Sequence, residues 1–166
     1  MSNPTMVLIA SQVLASSTSS VTFSSIPQTY TDLKLIYSIR CDYSGTGATA
    51  KLNFNSDTGT NYSFTFLYGN GTSAASSRGS NQAQGSLDSW AVRTSSNFEA
   101  NIMHIMNYSN TTTYKTFLSR AAVQGASSAA ETTANVSLWR STSAVTSVTL
   151  QTSSGTMGTG STFTLY

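Results

Sequence analysis

The chain has 166 residues, a formal net charge of +2 and only 8% charged residues, against a usual charged share of about 25%. Its 39% hydrophobic content argues against disorder, and Ser and Thr, about a third of the chain, carry most of its polarity. The cations Lys34, Arg40, Lys51, Arg78, Arg93, Lys115, Arg120 and Arg140 stand singly, without the clustered stripe that neutralises phosphates, so no nucleic-acid partner is expected.

The first residues, MSNPTMVLIASQ, read as an N-terminal arm or first strand over 1–12, with one β-sandwich domain over 13–166. This start has no basic segment ahead of its apolar run, and Ser11 and Gln12 interrupt that run, so a signal peptide is not expected. No stretch approaches the ~18 apolar residues of a membrane span, and the expectation is a soluble chain with no membrane partner. Val21, Phe23 and Ile26 precede Pro27, a breaker. In LKLIYSIR, Leu33, Leu35, Tyr37 and Ile39 alternate with Lys34, Ser38 and Arg40, and Ile36 suggests that part of the second face is covered as well. YSGTGATA reads as a loop. KLNFNSDTGTNYSFTFLYGNG reads as a hairpin, with Leu52 and Phe54 on one arm, Tyr62, Phe64 and Phe66 on the other, and Asn70-Gly71 ending the second strand.

Residues Thr72 to Ser86, with no periodicity and no large apolar side chain, form the longest loop candidate. Phe98 to Met106 is the longest strand candidate; its second set of residues, Glu99, Asn101, Met103 and Ile105, turns apolar midway, as in a strand entering the middle of a sandwich. NTTTYKTFLSRAAVQ gives another strand, and GASSAAETTA reads as a loop in preference to a short helix. Three strands close the chain: NVSLWR with Val136 and Leu138, AVTSVTLQ, and STFTLY, the last two joined by a glycine-rich hairpin loop. Eight to ten short strands separated by turn signals predict an all-β fold: a single antiparallel β-sandwich of jelly-roll type.

The residues offer little chemistry. His104 is the sole histidine and lies in an apolar strand, where a structural role is expected. Cys41 is the sole cysteine; it excludes an intrachain disulfide and is expected in or beside the core. One His and one Cys do not make a conventional zinc site. Six scattered acids distinguish no catalytic pair, and Asp32 and Asp57 sit beside turns, where bonding to the backbone is expected. Neither glycine-rich stretch has the Lys and spacing of a phosphate loop. No catalytic, metal or cofactor residues are therefore assigned, and a non-enzymatic protein is expected. Trp90 and Tyr68, flanking the Thr72–Ser86 segment, are the candidate glycan contacts if these rings are not core. The sequons at Asn61, Asn70, Asn107, Asn110 and Asn135 are expected by chance in so hydroxyl-rich a chain.

VTFSSIPQTYTDLKL, NYSFTFLYGNG, NYSNTTTYKTF, LWRSTSAVTSVTL and the terminal GSTFTLY, in this order along most of the chain, resemble a recurrent group of small virion proteins of tailed bacteriophages, of the aquatic or cyanophage type. The chain departs from that group at NIMHIMNY, where a more regular strand ending in Pro-Asn-Tyr is the pattern. The resemblance implies a virion structural protein and carries over no catalytic or ligand residues. Within it, the expected role is a capsid decoration or cement protein on the outer shell, with the major capsid protein and further copies of itself as partners, as a symmetric oligomer such as a trimer. The alternative is a tail-fibre or receptor-binding head that recognises host glycans with Tyr68, Trp90 and the Thr72–Ser86 loop.

Overall fold

Leu33, Leu35, Tyr37 and Ile39 are all buried, and the strand they define is the central element of a two-sheet sandwich. The computed structural model describes residues 5–43, 48–87, 98–124 and 130–166. In chain order the strands are β1 (Ala10–Val13), β2 (Ser20–Phe23), β3 (Leu33–Ile39), β4 (Ala50–Phe54), β5 (Tyr62–Gly69), β6 (Ala74–Gln82), β7 (Gly85–Ser86), β8 (Glu99–Ile105), β9 (Lys115–Gln124), β10 (Ala130–Trp139), β11 (Val148–Thr152) and β12 (Thr162–Leu165). No helix among the described residues is long and apolar enough to cross a membrane.

Every pairing is antiparallel. The large sheet runs β1-β12-β3-β8-β9-β10-β5-β6, and the small sheet β2-β11-β4-β7. The first four strands of the large sheet and all four of the small one follow jelly-roll order, two four-stranded sheets wound from one strip of chain. The expected topology is therefore present, with an addition. Two hairpins are inserted, β5–β6 between β4 and β7 and β9–β10 between β8 and β11. Both join the large sheet on the same side, which doubles its width.

The core lies between the sheets. Val21 and Phe23 of β2, Leu52 and Phe54 of β4, and Val148 and Leu150 of β11 face Leu33 to Ile39 of β3, Met103 and Ile105 of β8, and Phe163 and Leu165 of β12. Tyr37 and Phe163 stack at 6.2 Å. Cys41 is buried beside this core as expected, and burial pushes its thiol pKa up. Beyond β8 the inserted strands close over the edge of the small sheet. Phe54 meets the edges of Phe117 and Trp139 at 5.1 and 5.4 Å, and Tyr62 stacks on Trp139. A side chain at Gly85 would come within 2.5 Å of the Phe117 ring, so only glycine lets β7 approach.

Below these rings the contact turns polar. Asn135 Nδ2 and Ser137 Oγ donate to the Ser86 carbonyl at 2.7 and 3.0 Å, and Ser119 Oγ donates to the Leu87 carbonyl at 2.6 Å. β7 is the edge of its sheet, and these side chains supply the donors that a neighbouring strand would otherwise provide. They also reverse the expected facing of β10: Asn135, Ser137 and Trp139 are buried, whereas Val136 is 40% exposed. The sequon at Asn135 is therefore inside the fold.

Other expectations are corrected by the two-sheet path. β4 and β5 do not form a hairpin: β4 pairs with β11 and β7, β5 with β10 and β6, because the chain crosses between sheets after Phe54. The segment between β11 and β12 is likewise a crossover. The Thr72–Ser86 stretch is not a loop but carries β6 and β7, turned at Asn70-Gly71, where Gly71 has φ +83° and Asn70 Oδ1 accepts from the amides of Thr72 and Ser73. Ala130 to Ala134, expected as loop, begins β10. Ile36 is not covered; it is 37% exposed on the open side of the large sheet.

Asp57 ties the turn after β4 to the aromatic contact. It accepts from Trp139 Nε1 at 2.7 Å, Asn61 Nδ2 at 2.9 Å and the Gly59 amide at 2.8 Å. Partial desolvation pushes its carboxyl pKa up, but the Trp139, Asn61 and Gly59 donors outweigh that and hold it below the ordinary value. Asp57→Ala should cost about 1–3 kcal/mol of unfolding free energy at neutral pH, measured by denaturant titration. The depressed folded pKa makes this contribution complete above the ordinary carboxylate value and lost as pH falls through the folded one. The difference between wild type and variant should therefore shrink on acidification below about pH 4.

Candidate interaction surface

The large sheet has two faces with different fates. Its inner face is covered by the small sheet and the core except at β6. Its outer face carries the alternate residues of each strand, and strand register sets them in rows. One row runs Ser11, Thr164, Ile36, Ile102, Arg120, Ala134, Leu67, Ser76. A second runs Val13, Thr162, Ser38, Ala100, Ala122, Thr132, Gly69, Ala74. A third runs Lys34, His104, Leu118, Val136, Thr65, Arg78.

These rows are aliphatic at their centre. Ile36, Ile102, Leu118, Val136 and Leu67 are 37, 39, 44, 40 and 61% exposed, and they lie on adjoining strands rather than scattered singly. Contiguous exposed apolar surface of this kind marks interaction sites on soluble proteins. A depression of about 540 Å³ opens on the face, floored by Ile36, Ile102, Ala100 and Ala122, with Thr132, Thr162 and Thr164 hydroxyls and Arg120 around it. Ser and Thr hydrate the remainder without adding charge.

The charges on the face are of one sign. Lys34, Arg120 and Arg78 belong to the rows, and among the described residues none of them has a carboxylate within ion-pair distance. Asp32 stands at the margin, where His104 Nε2 lies 3.3 Å from its Oδ2 and the Asn107 amide donates to its Oδ1 at 2.8 Å. His104 thus ties β8 to the chain before β3. The pair lines a second depression, of about 680 Å³, with Thr5, Met6 and Val7 of the arm, Tyr30 and Tyr166. Ile9 donates to the Leu165 carbonyl and β1 pairs with β12, while Met6, Val7 and Leu8 stay exposed.

Of the two candidate glycan contacts, Tyr68 lies on the inner side of β5, half-buried and tilted onto Phe66 at 6.3 Å, away from the open face. Trp90 lies outside the described residues. The segment expected as a loop between them is strand β6, so among the described residues no loop gathers around Tyr68. Trp139, the other Trp, is core.

Among the described residues no three His, Cys, Asp or Glu side chains are grouped to hold a metal ion. Lys115 is buried with its Nζ donating to the Thr113 and Thr142 carbonyls, which pins the 107–114 segment to the one after β10; desolvation pushes its pKa down. It lines neither depression. Compared with known proteins, the chain matches no family model and no curated sequence.

The open face was missed in the sequence because its signal is the same as that of burial. Apolar residues at Ile36, Ile102 and Leu118, on strands whose other face is also apolar, read as strands covered on both sides. His104→Ala should change stability by less than about 1 kcal/mol, since the His104–Asp32 pair is solvent-exposed. Thermal unfolding at neutral pH checks this; a loss of several kcal/mol would mean that the pair bears on the core.

Proposed function

We propose that the chain is a non-enzymatic virion structural protein of a tailed bacteriophage, a decoration or cement protein that docks on the outer capsid shell through the outer face of its eight-stranded sheet. The observation that carries the reading is that face: a continuous aliphatic and hydroxyl surface on a rigid sandwich, with three cations and, among the described residues, no carboxylate apart from Asp32 at its margin. The order of sequence motifs along the chain adds the virion assignment.

The partner surface follows from the chemistry. Covering what remains exposed of the five aliphatic side chains is worth roughly 1 kcal/mol each before the costs of association. Cations spread among them favour a protein surface with apolar patches and carboxylates, and they oppose face-to-face contact with a second copy. Hydroxyls accept and donate at such a contact without the desolvation penalty of buried ions.

Quantitative mass spectrometry of purified particles, normalised to the major capsid protein, tests the location. The expected result is a copy number comparable with the shell subunit. A few trimers' worth per particle would overturn it in favour of a tail-fibre or receptor-binding head and would make host-glycan binding by Tyr68 and Trp90 the working reading. The docking face is tested separately. Ile102→Asp and Arg120→Glu should each lower occupancy on shells lacking the protein by tenfold or more, with the unfolding midpoint within a few degrees of wild type. Removal of Met1 to Met6 tests whether the arm contributes; full retention would confine docking to the sheet.

A further inference from the structure

β6 is an edge strand of unusual build. It runs nine residues, pairs among the described residues with β5 alone, and nearly all of its residues are exposed. Its sequence, AASSRGSNQ, has no β-branched or aromatic residue, so intrinsic preference does not hold it extended. Three contacts do: the ladder to β5, the Asn70 turn, and Arg140 reaching from the end of β10 to Asn81 Oδ1 at 2.9 Å. On the side away from β5, no backbone hydrogen bond engages it among the described residues.

Natural sheets guard such edges with Pro, several charges, bulges or short strands. The opposite edge of this sheet obeys that rule, since β1 is only four residues long. β6 has no Pro and a single charge, Arg78, and its one register irregularity lies between Tyr62 and Phe64, leaving Ala74 to Gly79 in regular pairing. Among the described residues, the row of N–H and C=O groups on the far side of Ala74 to Gly79 is left open.

We infer that β6 pairs antiparallel with β6 of a second copy, joining two eight-stranded sheets edge to edge. A foreign peptide that adds to a sheet edge draws affinity from main-chain bonds and specificity from pockets for its alternate side chains. From Ala74 to Ser80 every residue but Arg78 is Ala, Ser or Gly, so β6 has side chains too small to build such pockets. Identical small residues meet one another without selection, in the self-complementary contact of a two-fold dimer. Arg78 sets the register, because like charges directly opposite repel and the axis must lie away from it. A two-fold axis normal to the sheet keeps both outer faces on one side, so that the pair presents a single doubled surface.

Sedimentation velocity of the full chain from low to high micromolar concentration tests this, with Ser76→Pro and Ser77→Pro as variants. Neighbouring residues of a strand direct their N–H groups to opposite edges, so one proline strikes the free edge and the other the ladder to β5. Wild type should be a dimer, and one proline variant should be a monomer with an unchanged Trp139 near-ultraviolet signal. Amides of β6 at alternate positions should gain hydrogen-exchange protection as concentration rises. A wild-type monomer across the whole range, an odd-numbered oligomer, or a dimer retained by both proline variants overturns the inference.

Discussion

The structure depends on how the edge strand of the small sheet is satisfied. β7 is two residues long, and the Ser86 and Leu87 carbonyls on its far side have no strand to receive. Buried carbonyls without donors cost about 1–3 kcal/mol each. Ser119, Asn135 and Ser137 supply the donors from strands of the other sheet, so a sheet edge is closed by side chains standing on a sheet face. This fixes the depth at which β9 and β10 cross β7, and with it the Phe54, Phe117 and Trp139 contact above. Asp57, holding the Trp139 indole from the turn after β4, closes the same contact from the other side.

That arrangement explains the inequality of the sheets. A plain jelly roll has two sheets of equal width, each hiding the other. Here the inserted hairpins widen one sheet only, and the inner face of the added strands finds a partner as far as β7. Beyond it β6 lies with both faces wet. Among the described residues, no element packs against the outer face. Two unpartnered features follow from one insertion: a broad open face and a bare edge.

Much of this frame was legible. Alternation in β3 and in the other short strands, with turn signals between them, gave the all-β sandwich. The facing of β9 and β10 was not legible. Alternation in NVSLW puts Val136 and Leu138 inside by hydrophobicity, yet Asn135 and Ser137 are the buried set. A one-residue change of register exchanges the faces of a strand, and the choice was decided by carbonyls on β7, about fifty residues earlier, which no local pattern contains. The same holds for the segments read as hairpins: Leu52 and Phe54 have strand composition whichever neighbour they pair with, and that neighbour, β11, lies far along the chain. β6 was invisible for the opposite reason, since Ala, Ser and Gly carry no strand signal and the order is imposed by β5.

The abundance of Ser and Thr can then be traced to three separate demands. Inside, the short hydroxyl side chains of Ser119 and Ser137 donate to the edge carbonyls of Leu87 and Ser86. On the outer face, Thr132, Thr162 and Thr164 keep a pleated, β-branched surface hydrated around aliphatic residues that would otherwise form an unbroken apolar sheet. On β6, small side chains leave the backbone accessible, which larger or charged ones would obstruct. Among the described residues, charge is used sparingly at these sites: one buried cation, Lys115, donating to backbone carbonyls, three cations on the open face, and a single charge, Arg78, on β6. The low charge content is thus the complement of the hydroxyl content, and both belong to a fold whose interior and exterior surfaces are organised around polar, uncharged contact.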